Sequence, residues 1–156
     1  MSELNQNQKQ QVREIERAVL GGLMLETHRF DSVIQVIKEA DFDGKDHQII
    51  FQSMSELVDE NKPLDPITVS EKLDNKNSLN KVGGRDYLVE LATSTPSAAN
   101  IEAYAEILRQ RSITRKLTKA NSEIIDLINN PQGLDGEDLL DKAESMIFAL
   151  NDEKSN

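Results

Sequence analysis

The sequence predicts an all-α protein: a globular bundle of short helices followed by an antiparallel helical hairpin built on a long helix. Three observations predict it. Apolar residues recur at spacings of three and four in one segment after another, and no stretch carries a convincing period-two alternation of a strand. Proline and glycine cluster between those segments rather than inside them, apart from one Gly-Gly pair. From Ile101 onward about eight helical turns pass without a breaker, until Pro131, Gly133 and Gly136 interrupt the chain.

Residues 1–11 are rich in Gln and Asn and have no apolar run, so they read as a disordered lead-in and not as a secretory signal. In 12–25, Val12, Ile15, Val19, Leu20 and Leu23 mark an amphipathic helix. Gly21-Gly22 inside it weakens the helix by about 1–2 kcal/mol in total, a cost that makes sense if a neighbouring helix comes close there. Asp31 is suited to capping a segment with Val33, Ile34, Val36 and Ile37, closed by 38–41. Phe42 stands alone in an acidic loop and reads as a core plug. A third helix over about 46–60 buries Ile49, Ile50, Phe51, Met54, Leu57 and Val58. In Pro63-Leu64-Asp65-Pro66, Asp65 can cap and Pro66 fits the first helical position, where a missing N–H is harmless. A short helix through Leu73 follows. Val82-Gly83-Gly84 then turns the chain into a helix with Tyr87, Leu88 and Leu91 on one face.

The long helix, 101–129, has Ile101, Tyr104, Ala105 and Leu108 on one face and then Ile113, Leu117, Ala120, Ile124 and Leu127. The five-residue step between Leu108 and Ile113 rotates the stripe by about 140°, so the two halves are expected to serve different partners. Leu139, Ala143, Met146 and Leu150 on the last helix repeat at 4-3-4, a coiled-coil-like spacing that matches the second half of the long helix. The short connection 130–136 makes the two antiparallel neighbours. Asp135 with Asp138 resembles a capping box. The basic run Arg109, Arg111, Arg115, Lys116 and Lys119 is expected to face the acidic Glu137, Asp138, Asp141 and Glu144. Ile125, Ile128, Leu140 and Ile147 widen the apolar surface beyond what one partner helix covers, which points to association.

Chemistry is nearly absent. The only Gly-Lys pair, Gly44-Lys45, lacks the other positions of a phosphate-binding P-loop. Glu39, Asp41, Asp43 and Gly44 begin like a calcium loop, but Ile50 stands where a bidentate Glu is required. His28 and His47 have no partner at a catalytic or metal-binding spacing and read as polar residues flanking helices. There is no Cys, which fits a cytoplasmic protein, and no run approaches the ~20 apolar residues of a membrane span. A formal charge of −10 opposes strong nucleic-acid binding, since phosphate neutralisation by Lys and Arg dominates that affinity. Tyr104 falls on the inner stripe; Tyr87, after its Gly-Gly turn, is the better surface contact.

Four segments, in order, resemble the N-terminal domain of the DnaB-like bacterial replicative DNA helicases. They are Ala18-Val19-Leu20-Gly21-Gly22-Leu23-Met24-Leu25; Asp41-Phe42 with His47-Gln48-Ile49-Ile50-Phe51; Val82-Gly83-Gly84 with Tyr87-Leu88; and Thr95-Pro96-Ser97-Ala98-Ala99-Asn100-Ile101 with Tyr104-Ala105. A departure lies at Glu14-Ile15-Glu16-Arg17, where the family usually has E-A-E-Q. The resemblance implies a non-catalytic domain: a globular subdomain, 12–108, and a hairpin, 109–150, whose pairing between subunits builds the collar of a hexameric ring as a trimer of dimers. It implies docking of the primase C-terminal domain, and contact with DNA only through the full-length protein. It also implies no cofactor here, ATP and magnesium belonging to an ATPase domain absent from this chain, with 151–156 the start of a linker to it. The residues expected at the hairpin or subunit interface are Ile113, Leu117, Ile124, Ile125, Ile128, Leu139, Leu140, Met146 and Ile147. Tyr87, Glu14 and Thr118 are candidate partner contacts. Two other readings stay open: a stand-alone helical adaptor or regulator of a replication protein, and weak DNA binding through 109–119.

Overall fold

A computed structural model of the chain describes residues 2–155, with side chains over 6–151. Among the described residues there are seven α-helices and no strand. They are α1 (Ser2–Leu25), α2 (Phe30–Ile34), α3 (Lys45–Asp59), α4 (Pro66–Asn75), α5 (Gly84–Ser94), α6 (Ile101–Asn129) and α7 (Gly136–Ser155), with single 3₁₀ turns at Thr27–Arg29, Glu39–Asp41 and Asn80–Val82. The chain divides into two compact units, Met1–Arg109 and Gln110–Asn156, and α6 contributes to both.

In the first unit, α1 lays Val19, Leu20 and Leu23 into a core shared with Phe30, Val33, Ile50, Met54, Val69, Leu73, Leu88, Leu91, Ile101 and Leu108. The Gly21-Gly22 pair is where α1 meets the end of α5 and the approach to α6. A Cβ at Gly21 would lie 2.1 Å from Thr95 Oγ1 and 2.3 Å from the Leu91 carbonyl oxygen, and one at Gly22 would lie 2.9 Å from Ile101 Cδ1. The close approach anticipated from sequence is therefore real. Phe42 is the plug its isolation suggested: it is 1% exposed, its ring centre lies 5.0 Å from that of Phe51, and Gln48 donates to its carbonyl oxygen at 2.6 Å. Asp65 caps α4, accepting from the Thr68 N–H at 2.8 Å, while Thr68 Oγ1 accepts from the Asp65 N–H at 3.0 Å. Arg29 (2.9 Å) and Ser32 (2.8 Å) both donate to Glu102 in the first turn of α6, tying that helix's start to the turn before α2.

Three expectations change. Residues 2–11 are not a disordered lead-in but the opening turns of α1. Gln, Lys and Glu are good helix formers, and nothing breaks the helix before the Gly pair; Met1 lies outside the described residues. Asp31 does not cap α2, because the 3₁₀ turn Thr27–Arg29 runs directly into it and places Asp31 within its first turn. That helix stops at Ile34, with the N–H groups of Val36 and Ile37 both donating to the Val33 carbonyl. The tail expected at 151–156 continues α7 as far as Ser155; Asn156 lies outside the described residues.

In the second unit, Asp135 and Asp138 form a capping box at the start of α7, with bonds of 2.9 and 3.3 Å. The turn before it passes through left-handed Gln132 and Gly133. Leu139, Ala143, Met146 and Leu150 are half-buried, as are Ile113, Ile124 and Leu127 on α6, with Ala120 buried among them. Leu117 lies off this seam at 46% exposed. The sharp rotation expected between Leu108 and Ile113 is softened. The buried face 101, 105, 108 continues to Ser112, a polar residue that an apolar pattern skips.

Candidate association and docking surfaces

Two features carry the functional argument, one in each unit. The first is the apolar surface of the hairpin. Ile124, Leu127 and Ile128 of α6 line a half-open groove of about 310 Å³ with Gly136, Leu139, Leu140 and Ala143 of α7. The end of α6 thus lies beside the beginning of α7. The first turns of α7, which carry Glu137, Asp138 and Asp141, therefore neighbour the C-terminal turns of α6.

The seam leaves much apolar surface in the open. Leu140 is 60% exposed and Ile128 56%, and Ile125 and Ile147 are also exposed. Phe148, at 66%, is a residue that sequence reasoning passed over. It lies nine positions after Leu139, about 180° around α7 from the seam at ~100° per residue, so α6 cannot cover it. Its only sequence signal is that an aromatic sits off the 4-3-4 repeat. Thr118 is exposed, and its hydroxyl donates back to the Thr114 carbonyl at 3.0 Å.

The second feature is a polar network joining α1, α3 and α5. His47 was expected to be a polar residue flanking a helix, with no partner of its own. It is instead fully buried, and so is Glu16, whose carboxylate lies inside α1's inward face. Glu16 Oε1 is 2.6 Å from His47 Nδ1, and Oε2 accepts from the Asp43 N–H at 2.5 Å. A carboxylate from α1 thus anchors the loop entering α3, reaching the N–H of its N-cap residue Gly44 at 3.4 Å as well, while Asp46 Oδ1 accepts from the His47 N–H at 2.8 Å in the first turn. His47 Nε2 is 2.6 Å from the Tyr87 hydroxyl on α5. Arg13 donates to the same hydroxyl at 3.2 Å and to Asp46 at 2.7 Å.

Glu16 faces Nδ1 and Tyr87 faces Nε2, so both ring nitrogens are engaged and the imidazole is held at both edges. The Tyr87 ring is half-buried, with the guanidinium carbons of Arg13 and Arg17 at 5.9 and 5.8 Å from its centre. Arg17 is in turn paired with Glu90 at 2.7 Å. Burial pushes the Tyr87 hydroxyl above its ordinary range. Burial also pushes the Asp46 carboxyl up, but the Arg13 hydrogen bond, the neighbouring imidazole and the His47 N–H together outweigh it and hold Asp46 below the usual carboxylate range. Glu14, beside Arg13 on α1, is exposed. Two of the three candidate partner contacts, Tyr87 and Glu14, therefore belong to one unit and Thr118 to the other, and of the three only Tyr87 is part of the network.

The sequence matches the family described as DnaB-like helicase N terminal domain over residues 8–110. It is 41% identical over 140 residues to the replicative DNA helicase DnaB of Buchnera aphidicola subsp. Baizongia pistaciae, an alignment covering 90% of this chain and 30% of that protein. The chain thus spans about a third of the length of the curated relatives it matches. The fold is similar to the N-terminal domain of the DnaB helicase from Mycobacterium tuberculosis, with a TM-score of 0.82 and 29% identity over 86% of this chain and 94% of that one. It is also similar to the N-terminal domain of the Helicobacter pylori DnaB helicase, which was described together with its interactions with primase. There the TM-score is 0.70, with 28% identity over 80% of this chain and 97% of that one.

Proposed function

Because the chain belongs to the DnaB-like helicase N-terminal domain family, we propose that it is the non-catalytic N-terminal domain of a replicative DNA helicase. In this reading it works in the cytoplasm, pairs with a second copy through its hairpin to build the collar of a hexameric ring, and docks primase during DNA replication. It takes no cofactor of its own. ATP and magnesium act in a motor domain, and DNA is engaged by the full-length protein.

The observation that carries this reading is the uncovered apolar surface beside the hairpin groove. Leu140 and Ile128 line that groove with Ile124, Leu127 and Leu139 yet stay exposed, and Ile125 and Ile147 add further exposed apolar surface to the two helices. A two-helix hairpin with that much exposed apolar area gains by covering it, since each Å² of apolar surface removed from water contributes about 25 cal/mol. Concentration-dependent light scattering tests it. The wild-type chain should move from monomer toward dimer with increasing concentration, and Leu140→Glu, which puts a charge on the exposed face without touching the first unit, should remain monomeric. A wild-type chain that stays monomeric at high concentration and does not shift with added primase would argue against both parts of the proposal.

A further inference from the structure

We propose that the outer face of α7 is a docking site for a basic, amphipathic helical segment of a partner protein, with Phe148 as its apolar anchor. The site is separate from the pairing surface of the hairpin and from the primase reading above, and depends on neither.

At ~100° per residue, Glu137, Asp141 and Glu144 fall within about 40° of Phe148 around α7. The four residues repeat at 4-3-4, each two positions before a seam residue, Leu139, Ala143, Met146 and Leu150. The helix thus carries a second row of the seam's own spacing on the side away from α6. All four residues are exposed, Phe148 to 66%. Among the described residues none of the three carboxylates is held in an ion pair. Lys142, on the same helix, sits about 120° round from Phe148. Acidic residues in a first turn suit the helix dipole, which accounts for Glu137. Asp141 and Glu144 lie beyond that turn, at spacings where like charges repel, so α7 gains nothing from them. The hairpin gains nothing either from an aromatic ring in water where its own partner helix cannot reach. An open ring with uncompensated charge of one sign beside it has the make-up of an interface anchor and its rim.

The charges select the occupant. Nucleic acid and an anionic membrane surface carry the same sign and are repelled. A second copy related by a two-fold axis would set this acidic row against its own duplicate, in a chain of formal charge −10. A cationic polypeptide meets no such opposition. A helix that lays an apolar side chain on the Phe148 ring, with Lys or Arg at matching 4-3-4 positions, would cover the ring and neutralise the row in one contact.

The test is fluorescence anisotropy of labelled synthetic helical peptides titrated with the 156-residue chain. One peptide carries a Leu stripe flanked by Lys; a second keeps every Lys and has Ser for Leu; a third keeps the Leu stripe and has Glu for Lys. The first should bind one to one, and the other two about tenfold more weakly or worse. Phe148→Ser should weaken the first about tenfold or more, as loss of an interface anchor does. Asp141→Asn with Glu144→Gln should weaken it as well and flatten its dependence on salt. Leu140→Glu, on the pairing surface, should bind it no worse than wild type. All of these positions are exposed, so each variant should keep the wild-type circular dichroism spectrum and melt. Equal binding of the Lys–Leu and Lys–Ser peptides, or wild-type binding by Phe148→Ser, overturns the proposal and leaves a solvated acidic face. Loss of binding in Leu140→Glu places the peptide on the pairing surface and overturns it too. So does self-association, read by light scattering, that Phe148→Ser abolishes and Leu140→Glu does not, because a second copy would then own this face.

Discussion

At Gly21 a single hydrogen decides how closely two helices approach. A methyl group there would overlap both a side chain and a backbone oxygen of α5, and backbone cannot yield as a flexible side chain can. In an open helix Gly→Ala stabilises by about 1 kcal/mol. Here Gly21→Ala should instead destabilise by about 1–3 kcal/mol, the range for overpacking a core, read as a lowered midpoint in urea unfolding. A second outcome concerns acid. Hydrogen bonds from Ser32, and then Arg29, hold the Glu102 carboxyl below its ordinary range, and the Arg13 bond helps to do the same for Asp46. A carboxylate with a depressed folded-state pKa contributes stability above its unfolded value, and that contribution is lost as pH falls through the folded one. Stability should therefore decline from about pH 5 downward, and the double variant Glu102→Gln, Asp46→Asn should flatten that decline in thermal melts. At this scale the glycines were legible, because a Gly pair within an otherwise good helix pattern requires a reason. The Glu16–His47–Tyr87 network was not. Its members lie 31 and 40 residues apart, and a polar residue on an inward face carries no apolar signal. The one clue is that Glu16 occupies the stripe defined by Val12, Val19 and Leu23.

Among the elements, caps and breakers translated most directly into structure. Asp65 and Asp135 begin α4 and α7 as their spacing suggested, and Asp65→Ala should cost about 1 kcal/mol, as N-cap losses usually do, measured by chemical denaturation. Ends without a breaker were misjudged: α1 reaches back to Ser2 and α7 forward to Ser155 because nothing in the chain stops them. Asp31 failed as a cap because a 3₁₀ turn has no apolar period to announce it. In α6, Ser112 carries the buried face onward, so an apolar stripe alone exaggerates the rotation. In the hairpin, 4-3-4 spacing identified the seam on α7.

For the whole molecule, burial is unequal between the two units. The first holds nearly all of the fully buried apolar residues, whereas in the second only Ser112 and Ala120 are buried among the described residues. Local stability follows buried apolar contact. Hydrogen exchange should therefore be faster across 110–150 than across α1, α3 and α5, and should slow as protein concentration rises if a second copy covers the hairpin; Leu140→Glu should remove that slowing. The sequence alone determined the helical class, the position of the long helix, the breakers that isolate α7 and the family to which the chain belongs. Each of these is a local property, written in spacing, capping residues and motif order within short windows. Tertiary structure alone decided that Glu16 and His47 are buried together, that Tyr87 is tethered rather than free and that Phe148 faces away from its partner helix. These depend on which distant residues share a neighbourhood, and that is set by how helices cross and in which direction they run, not by any pattern along one of them.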